Sequence, residues 1–527
     1  MAATPKPLVL PTHEVYEFSS TRKWVIAVSV MLCTVLEVLD SSIVNVSLPH
    51  MQGSFSASVD EIAWVVTSYL VAAGIMIPMT GWIAERFGRK RYFVASIAMF
   101  IVASALCGVA QSLNQIVFFR LLQGAAGAAM MPLSQAILME TFPPREQAMA
   151  MAVWGIGIMV APIMGPTIGG YITDAWTWRW NFYINVPIGT LAAFMVYRFV
   201  DDPSYMRNLR RARIDFLGIT CLFVALGLGE IVLDRGERAD WFQSGWVVYC
   251  TAAALISLAV LIYHELHTED PVIDLSILEN MSFTLPVTLV IFLTFTLYGT
   301  AILNPVFLQE TLGFTASRAG LVMAPRGFGT MFSMILLGTI ARRGGDIRPL
   351  VGIGFILVAF AMWEMSGLNL ASDVKRIVWP TVVQGVGTGL IFPSLSAAAF
   401  ISMEKFKIGR AASLYSVTRN LGAAIGTSYL TTLLIRREQV NQSYLVEHIT
   451  VFTLPHMQMP GGLNMGHEFA MGHKHGMMML YGMVQRQAMM LSFNDIYRML
   501  CMLMLVLVPT FLFLKRNTRN LPAQAGH

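Results

Sequence analysis

The chain has 527 residues, 55% of them hydrophobic and only 13% charged, with mean hydropathy +0.61 and a formal net charge of +5. Soluble domains carry about 25% charged residues, so the composition excludes a soluble globular protein and points to a polytopic membrane protein. The positive balance sits in loops between apolar runs, so it reports topology and does not imply nucleic-acid binding.

Residues 1–23 form a polar tail with Pro5, Pro7 and Pro11. No small-residue cleavage site follows a short apolar core, so the tail leads into an uncleaved span. A span needs about 20 apolar residues to cross roughly 30 Å of hydrocarbon. About fourteen such runs follow: 24–48, 62–83, 92–111, 115–138, 148–172, 182–200, 214–233, 244–263, 283–308, 318–341, 349–368, 376–400, 411–435 and 494–514. The expected fold is all-α, and Lys and Arg set its orientation. Arg86, Arg89, Lys90 and Arg91, then Arg207, Arg210, Arg211 and Arg213, then Arg342, Arg343 and Arg348, then Lys405, Lys407 and Arg410 fall on one side with the C-terminal Lys515, Arg516 and Arg519. The positive-inside rule makes that side, and both termini, cytoplasmic. The acidic loop 264–281 is an exception that carries little weight, because acids contribute little to the rule. Cys33, Cys107, Cys221, Cys250 and Cys501 all lie in predicted spans and read as small apolar residues.

In the first span, Glu37 and Asp40 lie three residues apart and share a helix face. A charge at bilayer depth costs roughly 3 kcal/mol or more, so intramembrane acids and bases are functional-site candidates. Two carboxylates sharing one site resist double ionisation, which lets one of them carry a proton. The bland alternative for Glu37 is a place near the lipid or a helix surface. Arg120, in the fourth span, stays charged. It either modulates the acid in one conformation and withdraws in another, or forms a permanent structural salt bridge with it. On the relay reading, Asp40→Asn abolishes proton-coupled transport and leaves the fold intact.

Gly81, Glu85, Arg86, Gly88 and Arg89 occupy the second-to-third loop, GWIAERFGRKR. The two glycines permit a tight turn and close packing. Glu85 can pair with nearby arginines or sit at a helix N-terminus. Such a cluster can latch one conformation, or simply serve as a positive topogenic loop. In the fifth span Gly165, Pro166, Gly169 and Gly170, with Gly157 and Ala161, allow backbones to touch, and Pro166 favours a bend.

The chain also repeats itself. RLLQGAAGAAMMPLSQA (120–136) realigns with TVVQGVGTGLIFPSLSA (381–397), so that Gln123, Gly124 and Pro132 meet Gln384, Gly385 and Pro393, and Gly165 meets Gly426 at the same offset. GWIAERFGRKR has a weaker echo in GTIARRGGDIR (338–348), shifted by about four residues. Fixed-offset similarity means two copies of one bundle, and parallel halves around a shared site are a transporter design. The predicted organisation is a tail (1–23), a six-helix bundle (24–200), a central helix pair (214–263), a cytoplasmic linker (264–282), a second six-helix bundle (283–514) with a periplasmic loop (436–493), and a C-terminal tail (515–527). In the second half Arg326, Gln384, Arg419 and Asn420 are intramembrane polar candidates, with structural pairing across the bundle favoured for the two arginines. Glu230 and Glu364 lie near span ends, where headgroup contact explains them.

The loop 436–493 gathers His448, His456, His467, His473 and His475 with Met477, Met478 and Met479. Soft metals such as Cu(I) bind such groups, but a partner-docking loop is the preferred reading, and no metal site or cofactor is assigned. His467-Glu468 lacks the second histidine of a metalloprotease helix. No P-loop or GxSxG elbow is present either, so the chain reads as a secondary transporter and not an enzyme.

The loop motif resembles the signature of the major facilitator superfamily, with Glu85 where that family usually has Asp. GPTIGG (165–170) resembles the antiporter motif of its exporters. LDSSIVNVSLP (39–49), WVVTSY (64–69), APRG (324–327) and TRNLG (418–422) resemble its fourteen-helix drug:proton antiporter branch. LDRGERADWF (233–242), PVIDLSILENMSFT (271–284) and INVPIG (184–189) are similar to the EmrB-like group of Gram-negative tripartite pumps. The resemblance implies proton-driven efflux of lipophilic drug-like compounds across the bacterial inner membrane, conferring antibiotic resistance, with an EmrA-like periplasmic adaptor and a TolC-like outer-membrane channel as partners. The alternatives are a narrow-substrate exporter of fatty acids, siderophores or copper complexes, and a non-transporting membrane sensor.

Overall fold

The computed structural model describes residues 19–202, 215–268, 271–343, 345–401, 403–404, 407–449 and 474–514. Among these residues every regular element is helical. The first half contains α1 (Ser20–Phe55), α2 (Val59–Met76), α3 (Thr80–Phe87), α4 (Arg89–Val109), α5 (Leu113–Gly127), α6 (Met130–Thr141), α7 (Pro144–Ala175), α8 (Trp180–Tyr183) and α9 (Asn185–Phe199). A middle pair follows, α10 (Phe216–Arg235) and α11 (Gly245–His267). The second half contains α12 (Met281–Val306), α13 (Ala316–Arg342), α14 (Arg348–Met365), α15 (Val374–Phe400), α16 (Ile408–Glu447) and α17 (Lys474–Leu507).

Each of the fourteen predicted spans coincides with one helix or with consecutive helices. Eleven spans are long and apolar enough to cross a membrane, and the pair α2–α3, bent by 59°, makes twelve. The other two predicted spans fall on α7 and α16. Local chemistry marks several of the boundaries. Ser58 and Glu61 form a reciprocal capping box at the start of α2, and Ser112 caps α5. Gly88, at φ +91°, makes the turn between α3 and α4 in a region that side chains rarely adopt.

The prediction and the structure differ in one place. The segment 436–493 is not a continuous loop: α16 extends to Glu447 and α17 begins at Lys474. Arg436, Arg437 and Glu438 end the apolar run but are good helix formers, so the helix outlasts the hydropathy signal. Of the His/Met cluster, residues 450–473, including His456, His467 and His473, lie outside the described residues, as do the side chains of His475 and Met477. The helix α7 runs without a break through position 166, and the side chain of Pro166 is outside the described set.

The repeat is visible in the packing. In the first half α2 packs on α5, α1 on α7, and α4 on α5 and α9; in the second, α13 packs on α15, α12 on α16, and α14 on α15 and α17. The paired glycines do the same work in both halves. A Cβ at Gly124 would collide with the Tyr69 carbonyl oxygen of α2, and one at Gly385 with the Arg326 carbonyl oxygen of α13. The helices approach so closely because glycine has no side chain there. α10 packs on α11 and on α2.

The halves meet at the end that carries the loops at Gly88, Arg343 and Lys407. Trp154 of α7 stacks on Phe392 of α15 at 6.4 Å. Buried Ala148, Ala341 and Ala397 cluster there, and a Cβ on Gly338 would lie 3.3 Å from the Met149 sulfur.

Candidate functional site

The structure brings Asp40 and Arg120 together in the core of the first half. Arg120 Nη1 donates to Asp40 Oδ2 at 2.6 Å, with side-chain exposures of 1% and 0%. Burying two charges is costly unless the remaining valences are filled, and here they are. Gln123 Nε2 and Asn185 Nδ2 donate to Asp40 Oδ1 at 2.9 and 2.6 Å. Arg120 Nε donates to the Val65 carbonyl at 3.2 Å, and Nη1 also reaches Gln123 Oε1 at 2.8 Å. The Tyr69 ring lies under the guanidinium at 4.1 Å. Asn185 is held in turn by Ser104, at 3.0 Å. Asp40 thus accepts three hydrogen bonds, two of them from neutral amides.

Glu37, one turn earlier on α1, is different. It is half-buried, and its Oε2 is shielded from solvent without a hydrogen-bond partner. It lies within electrostatic reach of Asp40 on one side and of Arg419, in α16 of the other half, on the other. Arg419 is buried, and its Nε has no partner.

The glycines of the fifth span place α7 directly on this part of α1. A Cβ at Gly165 would collide with the Ser42 hydroxyl, and one at Gly169 would come within 3.0 Å of Ile43. Gly170 has more room, with Val46 3.9 Å away. Asn181 ties the two helices together further along, donating to Ser47 at 2.5 Å, to Thr173 at 2.7 Å and to the Gly169 carbonyl at 3.3 Å.

Glu85 reaches across to the other half. It lies near the end of α3 and accepts a forked pair of bonds from Arg410 of the opposite half, Nε at 2.9 Å and Nη2 at 2.7 Å. Gly81 lets the Arg410 backbone approach, since a Cβ there would lie 2.9 Å from the Arg410 Cα. Asp274, on the segment after α11, stands 3.9 Å from Arg410 Nη1. Arg89 turns inward and pairs with Glu140 at 2.7 and 2.9 Å, while the Arg86 guanidinium lies over Trp82 and Phe87 at 5.9 and 5.8 Å.

Residues 30–427 match the model of the Major Facilitator Superfamily. The chain is 35% identical over 496 residues to the multidrug export protein EmrB of Escherichia coli K12, covering 93% of this chain and 95% of that protein. It is 34% identical to the fatty acid resistance protein FarB of Neisseria gonorrhoeae, over 92% and 94% of the two chains. The chain belongs to the Major Facilitator Superfamily. The solved structure of the human organic anion transporter MFSD10 superposes with a TM-score of 0.60 at 14% identity, covering 92% of this chain and 99% of that one, which supports the same fold.

Within this superfamily fold the second-half candidates do not form one cluster with Asp40. Gln384 is buried and donates to Thr300 at 3.1 Å, leaving its Oε1 without a partner. Arg326 lies on α13 with a buried, unpartnered Nη2. Asn420 is half-buried beside Arg419 on α16. Among the described residues no group of His, Cys, Asp and Glu is arranged to hold a metal ion.

Several residues of the site escaped the sequence reading. Gln123 entered it only as a repeat marker, Asn185 and Tyr69 only inside motifs, and Arg410 only as a loop charge. Polar amides inside apolar spans were the available signal for Gln123 and Asn185. Nothing local to Glu85 indicates that its partner lies 325 residues away.

Proposed function

We propose that the protein is a proton-driven exporter of lipophilic, drug-like compounds in the bacterial inner membrane, in which Glu37 carries the proton and Asp40–Arg120 is its fixed anchor. The observation that carries this reading is the contrast between two neighbouring carboxyls: both oxygens of Asp40 accept hydrogen bonds inside its own half, whereas Glu37 has an unfilled oxygen and lies within electrostatic reach of a cation of the other half. Ionised Glu37 attracts Arg419 and helps hold the halves together. A proton on Glu37 removes that attraction, so its arrival frees the halves to part, and its departure draws them back around the cargo. The halves here meet at the end expected to be cytoplasmic, which makes this the outward-facing arrangement, accessible to protons from outside.

The driving force is adequate. One elementary charge crossing 100 mV supplies roughly 2.3 kcal/mol, and each 1.4 kcal/mol is tenfold, so one proton sustains a cargo gradient of about fifty-fold. The likeness to EmrB supports export as the direction and multidrug cargo as the class. It also motivates an EmrA-like periplasmic adaptor and a TolC-like outer channel as partners, with the helical extensions of α16 and α17 as their point of contact. The test is uptake into everted vesicles under an imposed pH gradient, across lipophilic cations, weak acids, fatty acids and copper. Gradient-dependent accumulation of lipophilic cargo by the wild type, lost in Glu37→Gln, is the expected result. Undiminished accumulation with pH difference, voltage and other ion gradients all collapsed refutes proton coupling.

A further inference from the structure

The polar cluster of the second half is the counterpart of the Asp40 site with its acid missing. At the 261-residue offset that aligns Gln123 with Gln384, Asp40 aligns with Ala301 and Arg120 with Thr381. At the 257-residue offset of the loop echo, Tyr69 aligns with Arg326. The backbone agrees, since Tyr69 and Arg326 are the two residues whose carbonyls press on Gly124 and Gly385. The second half therefore places a guanidinium at the helix contact, delivered from α13 and not from the counterpart of Arg120, and no carboxylate pairs with it among the described residues.

Arg326 points inward. Leu321, Phe328 and Phe332 of the same helix are 75%, 69% and 65% exposed, and at 100° per residue Arg326 lies on the opposite side from all three. Its guanidinium forms no ion pair and no hydrogen bond among the described residues, and Nη2 is shielded from solvent. The Tyr497 hydroxyl lies within its electrostatic reach and donates to Asn304 Oδ1 at 2.7 Å, which leaves Asn304 Nδ2 a buried donor with no acceptor. Gln384 Oε1 is an unfilled acceptor and takes no part in holding an anion. Phe493 stacks on Tyr497 at 6.4 Å and Phe307 meets Phe493 edge-on at 5.1 Å, so the surroundings are apolar. A half-buried cation with a shielded nitrogen and a buried amide donor left open in such a setting each cost free energy that an incoming anion recovers.

We propose that Arg326, with Asn304 and Tyr497, forms a subsite for the carboxylate of an amphipathic organic acid carried as cargo. The proposal rests on the export function above and names one class of its cargo. A guanidinium fork matches a carboxylate, and the apolar neighbours suit the hydrocarbon part of the same molecule.

The experiment compares binding of radiolabelled laurate, its methyl ester and tetraphenylphosphonium to the purified full-length protein in nanodiscs of phosphatidylcholine, where no anionic headgroup competes. The wild type is expected to bind laurate well above the ester. Arg326→Gln should weaken laurate at least about tenfold, as expected for loss of one charge-assisted contact, and leave the lipophilic cation unchanged. Arg326→Lys should retain part of the laurate affinity. Asn304→Asp, isosteric and suited to folding where Arg326→Gln does not, supplies the missing carboxylate and should abolish laurate binding. Equal binding of acid and ester, or laurate affinity within twofold of wild type in Arg326→Gln or Asn304→Asp, overturns the subsite. Glu37→Gln separates the two ideas, because it should bind laurate normally while losing gradient-driven transport. Failure of proton coupling leaves laurate binding in place, and failure of the subsite leaves gradient-driven transport of the cation in place.

Discussion

Replacing Asp40 by asparagine tests whether the Asp40–Arg120 pair is an anchor. Asp40 accepts from Arg120 at 2.6 Å, Gln123 at 2.9 Å and Asn185 at 2.6 Å. Asparagine offers one acceptor oxygen and adds an amide donor, so either Arg120, or Gln123 and Asn185 together, lose their acceptor and face a donor. Arg120 keeps its charge at 1% exposure. Removing one partner of a buried pair costs about 3–5 kcal/mol, a large share of the 5–15 kcal/mol by which folded proteins are typically stable. The Tyr69 ring, 4.1 Å from the guanidinium, offsets this by about 2 kcal/mol at most, and that contact already exists in the wild type. The assay is the thermal unfolding midpoint in one detergent for the wild type, Asp40→Asn and Asp40→Asn with Arg120→Gln. The single variant should melt well below the wild type. The double variant, which leaves no unpaired charge, should recover much of the loss. This revises the expectation from sequence that Asp40→Asn spares the fold, and a single variant that melts with the wild type refutes the reasoning.

Glu37→Gln removes no hydrogen bond from the buried Oε2, so it should unfold within about 1 kcal/mol of the wild type yet lose pH-driven accumulation; retained coupling in vesicles eliminates Glu37 as the carrier. Gly124→Ala and Gly385→Ala each force a Cβ onto a backbone carbonyl and should cost about 1–3 kcal/mol by overpacking, seen as reduced folded yield and a lower midpoint; normal yield from both shows that the helix pairs separate easily. Arg410→Gln removes the forked contact with Glu85 and should loosen the closed end. A disulfide cross-link between Met149→Cys and Gly338→Cys, close neighbours here, should then form more slowly than in the Arg410 parent, and an unchanged rate rules out the latch.

Much of the fold could be read from the chain because span length and hydropathy are local properties, and the bilayer leaves few alternatives to a helix. The outer ends of α16 and α17 were missed for the same reason: hydropathy measures the hydrocarbon layer, and a helix can continue beyond it. Asp40 and Arg120 were conspicuous because charge inside a span is rare. Their pairing, and its completion by Gln123 and Asn185, depends on which faces of α1, α5 and α9 meet, which no local pattern records. Glu85 shows the limit more sharply. Its motif is rich in local arginines, but the structure also gives it a cation from the other half.

The two halves share a backbone plan and differ in charge, and that difference bears on mechanism. Gln123 and Gln384 each reach to the first helix of their own half, one to Asp40 and the other to Thr300. In the first half Asp40 and Arg120 neutralise each other internally, which leaves Glu37 as the acid of that site open to the other half. The second half holds Arg326 and Arg419, neither of which forms an ion pair among the described residues, and on the proposals above their counter-charges come from outside the half: Glu37 across the interface for Arg419, and cargo for Arg326. On this arrangement proton and cargo meet different cations on the same rigid body, and each biases the position of that body without touching the other. Competition experiments distinguish this from a shared site. With the halves locked by the Met149→Cys and Gly338→Cys cross-link, laurate affinity should depend on pH no more than in the same locked protein carrying Glu37→Gln, whereas a common site keeps a loss of affinity wherever Glu37 ionises.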